Sequence, residues 1–336
     1  MKALVLQFLK EMQNKGSLNY YENHPLSLVS TFGIGGEAGV FVRVREKEAL
    51  CELIGFLHGK IPYKVIGCGS NLLFSDLGFN GAVISTRALD FCSLLDAPKR
   101  PTDAAVFDTF NVKKVIFADC GCALSRLCEV ARASDVTGFE GLCSIPATVG
   151  GAVINNAGAF GSEIADTLLA CEVYYPELGQ CLLRPTVSGD LSYRKSRFKD
   201  EGGIILSAYF AAREGERSLI AEKMQKNKAL RALSQPQGVR SAGSFFKRPA
   251  PFEGYIGYRG KSAGELIDLC SLKGLTVGGA SVSEKHANFI VNASGKASAE
   301  DVLALKETIK RKVLEKTGVL LYEEVEYVPF DLTRKA

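Results

Sequence analysis

The sequence predicts an α+β protein of more than one domain, on three observations. With 336 residues, 46% of them hydrophobic, the chain is long enough for two or three separate cores. Residues 39–88 read as strand, helix, strand, strand, a small unit of mixed α and β. The C-terminal third opens on a polar helix at about 214–233 and closes on a capped amphipathic helix followed by a strand.

Each element has a local reason. The start, MKALVLQFLKEMQNKG, is apolar only until Lys10 and Glu11 and is followed by no small-residue cleavage site, so an amphipathic helix is expected rather than a leader. GVFVRV is a strand, EKEALCELIGFLHG carries apolar residues at helical spacing, and YKVIG and GAVIST are strands again. KKVIFADC is a strand leading into the helix-like LSRLCEVARAS, after a segment at 92–115 with Pro and Asp breaks. CEVYYPE, QCLLRPT and GGIILSAYFAA are strands around a charged loop at 188–202, and a boundary is expected near 213. Ser298 with Asp301 starts a helix in the manner of a capping box. Val302, Leu305, Ile309 and Val313 form its apolar stripe, Gly318 stops it, and VLLYEEVEYV is a final strand.

Composition excludes several classes. The net charge of +4, from 41 basic and 37 acidic residues, is spread without the clustering that tracking a phosphate backbone requires, so no nucleic-acid partner is expected. No run approaches the roughly 18 apolar residues of a membrane span, and a soluble cytoplasmic protein is expected. The ten cysteines are scattered and expected as reduced thiols, and Cys120-Gly121-Cys122 has no second ligand pair at zinc spacing. His24, His58 and His286 lie far apart in sequence, so no metal site is expected and acid-base work falls to other groups.

Two glycine-rich segments can hold a ligand. In 65-VIGCGSNLLFSD-76 a strand runs into Gly67, Gly69, Ser70 and Asn71. The third glycine of a dinucleotide fingerprint would fall at Leu72, so that fold is rejected, while the closely spaced amides remain suited to a phosphate. The sequence 254-GYIGYRGKS-262 misses the phosphate-loop lysine spacing by one residue. The second segment, 138-GFEGLCSIPATVGGAVINNAGAFGSEI-164, is poor in charge and rich in small residues that let main chain lie against a planar ligand, with Asn155 and Asn156 able to bond its edge. A flavin ring fits that description.

These segments, with PLSLVSTFGIGGEA at 25–38, LSYRKSRFK at 191–199, SQPQGVRSAGSFFKRP, AGELIDLCSLKGLTVGGASVSEKHANFIVN and the closing LLYEEVEYV, resemble the UDP-N-acetylenolpyruvoylglucosamine reductases of bacterial cell-wall synthesis over nearly the whole chain. The resemblance implies a three-domain FAD-binding flavoenzyme of the vanillyl-alcohol-oxidase-like type with a C-terminal α+β substrate domain. Residues 1–88 and 89–213 would be the two parts of the FAD-binding domain and 214–336 the substrate-binding domain. It implies noncovalent FAD, NADPH as electron donor, and reduction of UDP-N-acetylglucosamine enolpyruvate to UDP-N-acetylmuramate. The cofactor residues carried over are Gly67, Gly69, Ser70, Asn71 and Leu72 for the pyrophosphate loop. Ser144, Ile145, Pro146, Thr148, Gly150, Gly151, Asn155, Asn156, Gly158 and Ala159 would line the ring segment.

The same resemblance gives Arg194, Ser244 and Glu324 as catalytic residues, and Tyr193, Arg194, Lys247, Arg248 and His286 as substrate-binding residues. Their chemistry suits the reaction. A guanidinium stays charged and offers forked donors to a carboxylate. A serine hydroxyl, protonated at neutral pH, can give a proton to a strongly basic carbanion. Strand alternation alone leaves Glu323 and Glu324 both open as the acidic residue, and the resemblance favours Glu324. Arg248 stands where the family commonly has asparagine, the 92–115 segment is longer than usual, and no tyrosine-bearing insertion follows Arg213, which implies the shorter subclass. A flavin oxidase of related architecture would not require the AGSFF and YEEV blocks. A catalytically silent nucleotide-binding protein would not require Arg194, Ser244 and Glu324.

Overall fold

The computed structural model describes residues 2–98, 107, 112–251 and 253–330, so the long 92–115 segment falls in part outside the described residues. The chain forms two compact units. One contains residues 1–22, 40–68 and 81–231, the other residues 23–39, 69–80 and 232–336. This partition differs from boundaries at 88 and 213, because two short segments of the N-terminal third cluster with the C-terminal one.

The first unit is centred on a five-stranded antiparallel sheet in the order Gln180–Pro185, Leu168–Tyr175, Ile204–Ala211, Lys114–Asp119, Cys92–Asp96. Strands Leu168–Tyr175 and Ile204–Ala211 are almost continuously buried, as expected of strands at the middle of a sheet with both faces covered. The helix Leu124–Ala133 buries Leu124, Leu127, Cys128 and Ala131, and the helix Lys47–Leu57 buries Ala49, Leu50, Leu53, Ile54 and Leu57. Both sets recur at three- and four-residue spacing, which is why these segments fold as helices against a core. The N-terminal helix, Lys2–Asn14, adds Val5, Leu9 and Met12 to that core. Strand Tyr63–Ile66 pairs in parallel with Phe79–Ser85 and delivers the chain into the first glycine-rich loop.

The second unit carries an antiparallel sheet in the order Arg240–Ser244, Phe289–Asn292, Ala280–Val282, Thr276–Val277. The helix Ala299–Thr317 packs on it. Its start is the capping box of Ser298 and Asp301, its stripe Val302, Leu305, Ile309 and Val313 is fully buried, and Gly318 ends it at φ 69°. The expected final strand is corrected in extent: of residues 319–328 only Glu326–Val328 is regular strand, pairing in parallel with Leu72–Phe74.

Candidate active site

The strand bearing Ser244 and the segment bearing Glu324 are neighbours in the second unit. Past Gly243, at φ 80°, the pairing of Arg240–Ser244 with Phe289–Asn292 shifts register and places Ser244 opposite Phe289. On its other side the chain meets residues 322–325: Glu324 N–H donates to the Phe245 carbonyl (2.8 Å), Lys247 N–H donates to the Tyr322 carbonyl (2.8 Å), and Phe246 bridges Glu323. The Glu324 carbonyl accepts from Asn71 Nδ2 at 3.0 Å, and Asn71's own carbonyl accepts from Glu326 N–H. Glu324 is therefore held from both sides, one of them the residue after Ser244.

The two adjacent glutamates have different neighbours. Glu323 Oε1 accepts from Lys310 Nζ (2.9 Å) and faces Lys306 Nζ (3.4 Å). Burial pushes its carboxyl up, but the two ammonium groups overcome that and hold it below the usual carboxylate range. Glu323 is thus ion-paired to the helix Ala299–Thr317, while the Glu324 backbone is bonded to the residue after Ser244.

Sequence reasoning gave no role to the groups that secure this corner. Asn288, buried, accepts from Phe246 N–H with Oδ1 (3.0 Å) and donates to the Phe246 carbonyl with Nδ2 (2.8 Å), acting as an extra peptide rung. Thr31, in the TFGIGG block, donates Oγ1–H to the Ser241 carbonyl (2.8 Å), while its N–H donates to the Gly69 carbonyl (3.2 Å). A side-chain amide or hydroxyl near a broken strand pair was the available signal. His286 is half-buried, edge-on to Phe289 at 4.9 Å, and its Nδ1 accepts from Asn288 N–H, so the proton lies on Nε2. Burial holds its pKa below the ordinary value, with Lys273 acting the same way. Lys247 is half-exposed and Arg248 exposed. Hydrogen bonds from Ser262 chiefly lower the Glu265 pKa, and the charges of Lys261 and Arg248 add to that.

In the first unit, Arg194 occupies the tip of a hairpin whose rungs are Leu191 opposite Ser196 and Ser192 opposite Lys195. Tyr193 and Arg194 are the two turn residues, and Arg194 sits at φ 58°, a left-handed backbone that a side chain with a Cβ adopts at a cost. Its guanidinium lies 5.1 Å from the centre of the Tyr193 ring.

The glycine-rich residues separate into packing and ligand-facing sets. A Cβ on Gly67 would fall 2.1 Å from Thr148 Oγ1, so only glycine lets the first loop cross residue 148. Gly69, at φ 63°, would put a Cβ 2.3 Å from the Val29 carbonyl oxygen. Gly150 is a packing glycine: it is buried against Cys120 and its N–H donates to the Cys120 carbonyl, so its amide is not offered to a ligand. Gly151 is exposed, with no atom nearer than 3.6 Å to its missing Cβ. Ser144 and Ile145 are half-buried and Pro146 exposed along the same stretch, and Ser70 and Leu72 continue the first loop. Gly158 and Ala159 form a short ribbon with Glu163 and Ser162.

Two asparagines of the ring segment are bonded within the protein. Asn155 Oδ1 accepts from Lys199 Nζ and its Nδ2 donates to the Gly151 carbonyl. Asn156 is buried, with Oδ1 accepting from Ala165 N–H and Nδ2 donating to the Ser192 carbonyl, so its amide braces the protein.

The donor set fits FAD. The hydroxyls of Ser144 and Thr148 are buried without a hydrogen-bond partner in the protein, a state that folded proteins avoid unless a ligand or water completes it. Both belong to the ring segment, and Thr148 lies under the Gly67 crossing. A polyol and phosphate chain beside a planar ring supplies the missing partners.

Comparison with known proteins decides the family. Residues 235–328 match the C-terminal domain of UDP-N-acetylenolpyruvoylglucosamine reductase, and residues 38–182 match an FAD-binding domain. The UDP-N-acetylenolpyruvoylglucosamine reductase of Caldanaerobacter subterraneus subsp. tengcongensis is 36% identical over 329 residues, covering 98% of this chain and 99% of that protein. The chain belongs to the UDP-N-acetylenolpyruvoylglucosamine reductase family. The reductase of Caldicellulosiruptor saccharolyticus is 38% identical over 318 residues, 94% of this chain and 93% of that protein. The crystal structure of the Thermus caldophilus reductase superposes with a TM-score of 0.73 at 34% identity, covering 93% of this chain and all of that one. As a member of this reductase family the chain is an FAD-dependent oxidoreductase with an α+β fold. It reduces the enolpyruvyl group of UDP-N-acetylglucosamine enolpyruvate with electrons from NADPH, in peptidoglycan precursor synthesis. Among the described residues no helix is long and apolar enough to cross a membrane.

Proposed function

We propose that Arg194, Ser244 and Glu324 carry the family's reaction in this chain. The Gly67 to Leu72 loop and the Ser144 to Ala159 segment would hold FAD, which would supply hydride transfer from NADPH to the terminal carbon of the enolpyruvyl ether. The double bond's electron pair moves to the carbon beside the carboxylate, where carbanion or enolate character develops. Stabilising that charge and protonating that carbon give the lactyl ether of UDP-N-acetylmuramate. Arg194 binds the carboxylate with its forked donors. Ser244 Oγ–H delivers the proton, and Glu324, bonded through its backbone to the residue after Ser244, is the second titratable group at that end of the site.

The observation that carries this reading is the 2.8 Å hydrogen bond from Glu324 N–H to the Phe245 carbonyl, which brings Glu324 beside Ser244, 80 positions away in sequence. Tyr193, Lys247, Arg248 and His286 bind the UDP-sugar, with the cations directed to its diphosphate and His286 Nε2–H acting as a neutral donor. In this division of labour residues 1–88 and 89–213 hold FAD and residues 214–336 hold the substrate. The chain works in the cytoplasm, on small molecules, as a member of the shorter subclass.

The test separates two half-reactions. Ser244→Ala should bind FAD, show a flavin spectrum and be bleached by NADPH as wild type is. Reoxidation by the enolpyruvyl substrate should slow by about 100-fold or more, the scale for losing a positioned acid. Reoxidation at the wild-type rate would remove Ser244 from the proton path, and a colourless protein that FAD cannot reconstitute would remove the flavin reading itself.

A further inference from the structure

Asn156 combines three features that a simple turn does not need. It is 1% exposed, it stands at φ 41°, and it is a buried amide bonded at both ends. Glycine would relieve the left-handed backbone and avoid burying an amide, and would forfeit only the two hydrogen bonds. What those bonds connect is therefore the question. Oδ1 fixes Ala165 N–H at 3.0 Å, and Nδ2 reaches the Ser192 carbonyl at 3.2 Å.

Ser192 is the last strand residue before the Tyr193–Arg194 turn. The hairpin has only two rungs, and Tyr193 at its tip is 50% exposed. A ribbon that short does not hold its own position and takes it from tethers. Two tethers run to one place. Asn156 Nδ2 holds the strand entering the turn, and Ser196 Oγ–H donates to the Ile154 carbonyl (2.8 Å) from the strand leaving it. Residues 154–156 are the last residue of the helix Val149–Ile154 and the two that follow it, and that helix begins after Thr148 and carries the exposed Gly151. The two bonds join both strands of the hairpin to residues 154–156.

We propose that Asn156 is a positioning residue for the reaction: its amide fixes the Arg194 turn to the flavin-facing segment, so that the guanidinium is presented at a set height above that segment. This rests on the reading that Arg194 acts on the substrate. Asn156 touches neither substrate nor FAD in this role. Its effect reaches the chemistry through Arg194 alone, so it acts in the half-reaction that uses Arg194 and not in the reduction of flavin by NADPH.

The test uses the holoenzyme with Asn156→Asp, which keeps size, tolerance of left-handed backbone and the acceptor for Ala165, but turns a carboxylate oxygen toward the Ser192 carbonyl in place of a donor. FAD content and the rate of bleaching by NADPH should stay within about twofold of wild type. Oxidation of the reduced enzyme by the enolpyruvyl substrate should slow by about 10–100-fold, the scale of a misplacement near 1 Å. In Arg194→Ala the same substitution should add no further loss, because its only route to the chemistry is gone. Asn156→Gly, free of backbone strain, serves as the second variant should the aspartate prevent folding, with the same pattern expected. Equal loss in both half-reactions, or losses that multiply in the double variant, would overturn the proposal while leaving the role of Arg194 intact. If Arg194→Ala itself reoxidises at the wild-type rate, the reading beneath the proposal fails and the proposal falls with it.

Discussion

The left-handed backbone of Arg194 makes a prediction that separates stability from activity at one position. A residue with a Cβ in this region costs roughly 1–2 kcal/mol relative to right-handed or extended backbone, and glycine escapes most of that cost. Glycine also gains about 0.4–1 kcal/mol of extra freedom in the unfolded chain, which acts against it. The comparison to make is Arg194→Gly with Arg194→Ala, since both lack the guanidinium and its contact with the Tyr193 ring and differ only in backbone preference. The difference leaves the glycine variant more stable than the alanine variant by about 0.5–1 kcal/mol. In a chain of this size that is about 1 °C in Tm. Against wild type, the alanine variant also loses the guanidinium–ring contact, worth about 0.5–1 kcal/mol at an exposed site.

Activity should behave in the opposite way. Both variants lose the guanidinium proposed to bind the substrate carboxylate and should fall by about 100- to 1,000-fold in the rate of reoxidation by substrate, with no advantage to the more stable one. Denaturant titration followed by flavin fluorescence and far-UV dichroism reads the stability order, and stopped-flow absorbance reads the rate. An alanine variant as stable as the glycine variant would show that the turn stores no strain. A glycine variant with near-wild-type turnover would show that the guanidinium is not used.

Three further expectations concern separate parts of the chain. Gly67→Ala should lose FAD on gel filtration and lower Tm, because its Cβ would meet Thr148 Oγ1 at 2.1 Å; a yellow, stable variant would show that loop and residue 148 separate freely. Arg248→Asn should raise KM for the UDP-sugar about 3- to 10-fold and weaken the dependence of KM on salt, as expected of an exposed charge-assisted phosphate contact, and unchanged values of both would assign Arg248 to the solvated surface. His286 resists protonation in the folded state, chiefly through burial, so as pH falls below its unfolded value of about 6.5 the unfolded chain takes up a proton that the folded one refuses. Folding stability should therefore drop between pH 6.5 and 5, by at most about 1.4 kcal/mol per pH unit from this group, and His286→Gln should flatten that slope in urea titrations; an unaltered slope would place the titration elsewhere.

The parts of this fold that were legible in the sequence are those with local causes. The capping box at Ser298, the stripe from Val302 to Val313 and the left-handed Gly318 each follow from residues within one or two turns of helix. The parts that were not legible depend on partners far along the chain. Leu72–Phe74 is three apolar residues with no alternation to mark it, and it becomes strand because Glu326–Val328 pairs with it. Val149–Ile154 contains two adjacent glycines, poor helix formers, and is seated because Val149 and Gly150 donate to the carbonyls of Cys122 and Cys120. At the site, Gly150 and Gly151 read alike, yet one packs on Cys120 and the other is exposed. Lys306 and Lys310 reach Glu323 from the preceding helix, a pairing that strand alternation does not reveal.

The candidate catalytic residues all stand where regular pairing breaks, and asparagine is what repairs each break. Arg194 is on a two-rung hairpin, Ser244 follows a register shift at a glycine of φ 80°, and Glu324 lies in a segment that is not regular strand. Broken pairing leaves backbone N–H and C=O groups that must find partners or cost free energy in the interior. A primary amide carries both a donor and an acceptor on a short stem, so it can stand in for a missing peptide group. Asn156 does this for Ser192 and Ala165, Asn288 for both polar groups of Phe246, and Asn71 for the Glu324 carbonyl. Asn292 links the Phe32 carbonyl and Ala297 N–H in the same manner. Aspartate can supply only the acceptor half of this arrangement, so Asn→Asp at 71, 156 or 288 leaves a carbonyl unpaired next to a functional residue. Substitution there should therefore disturb the geometry of the chemistry beyond what its cost in stability alone would predict.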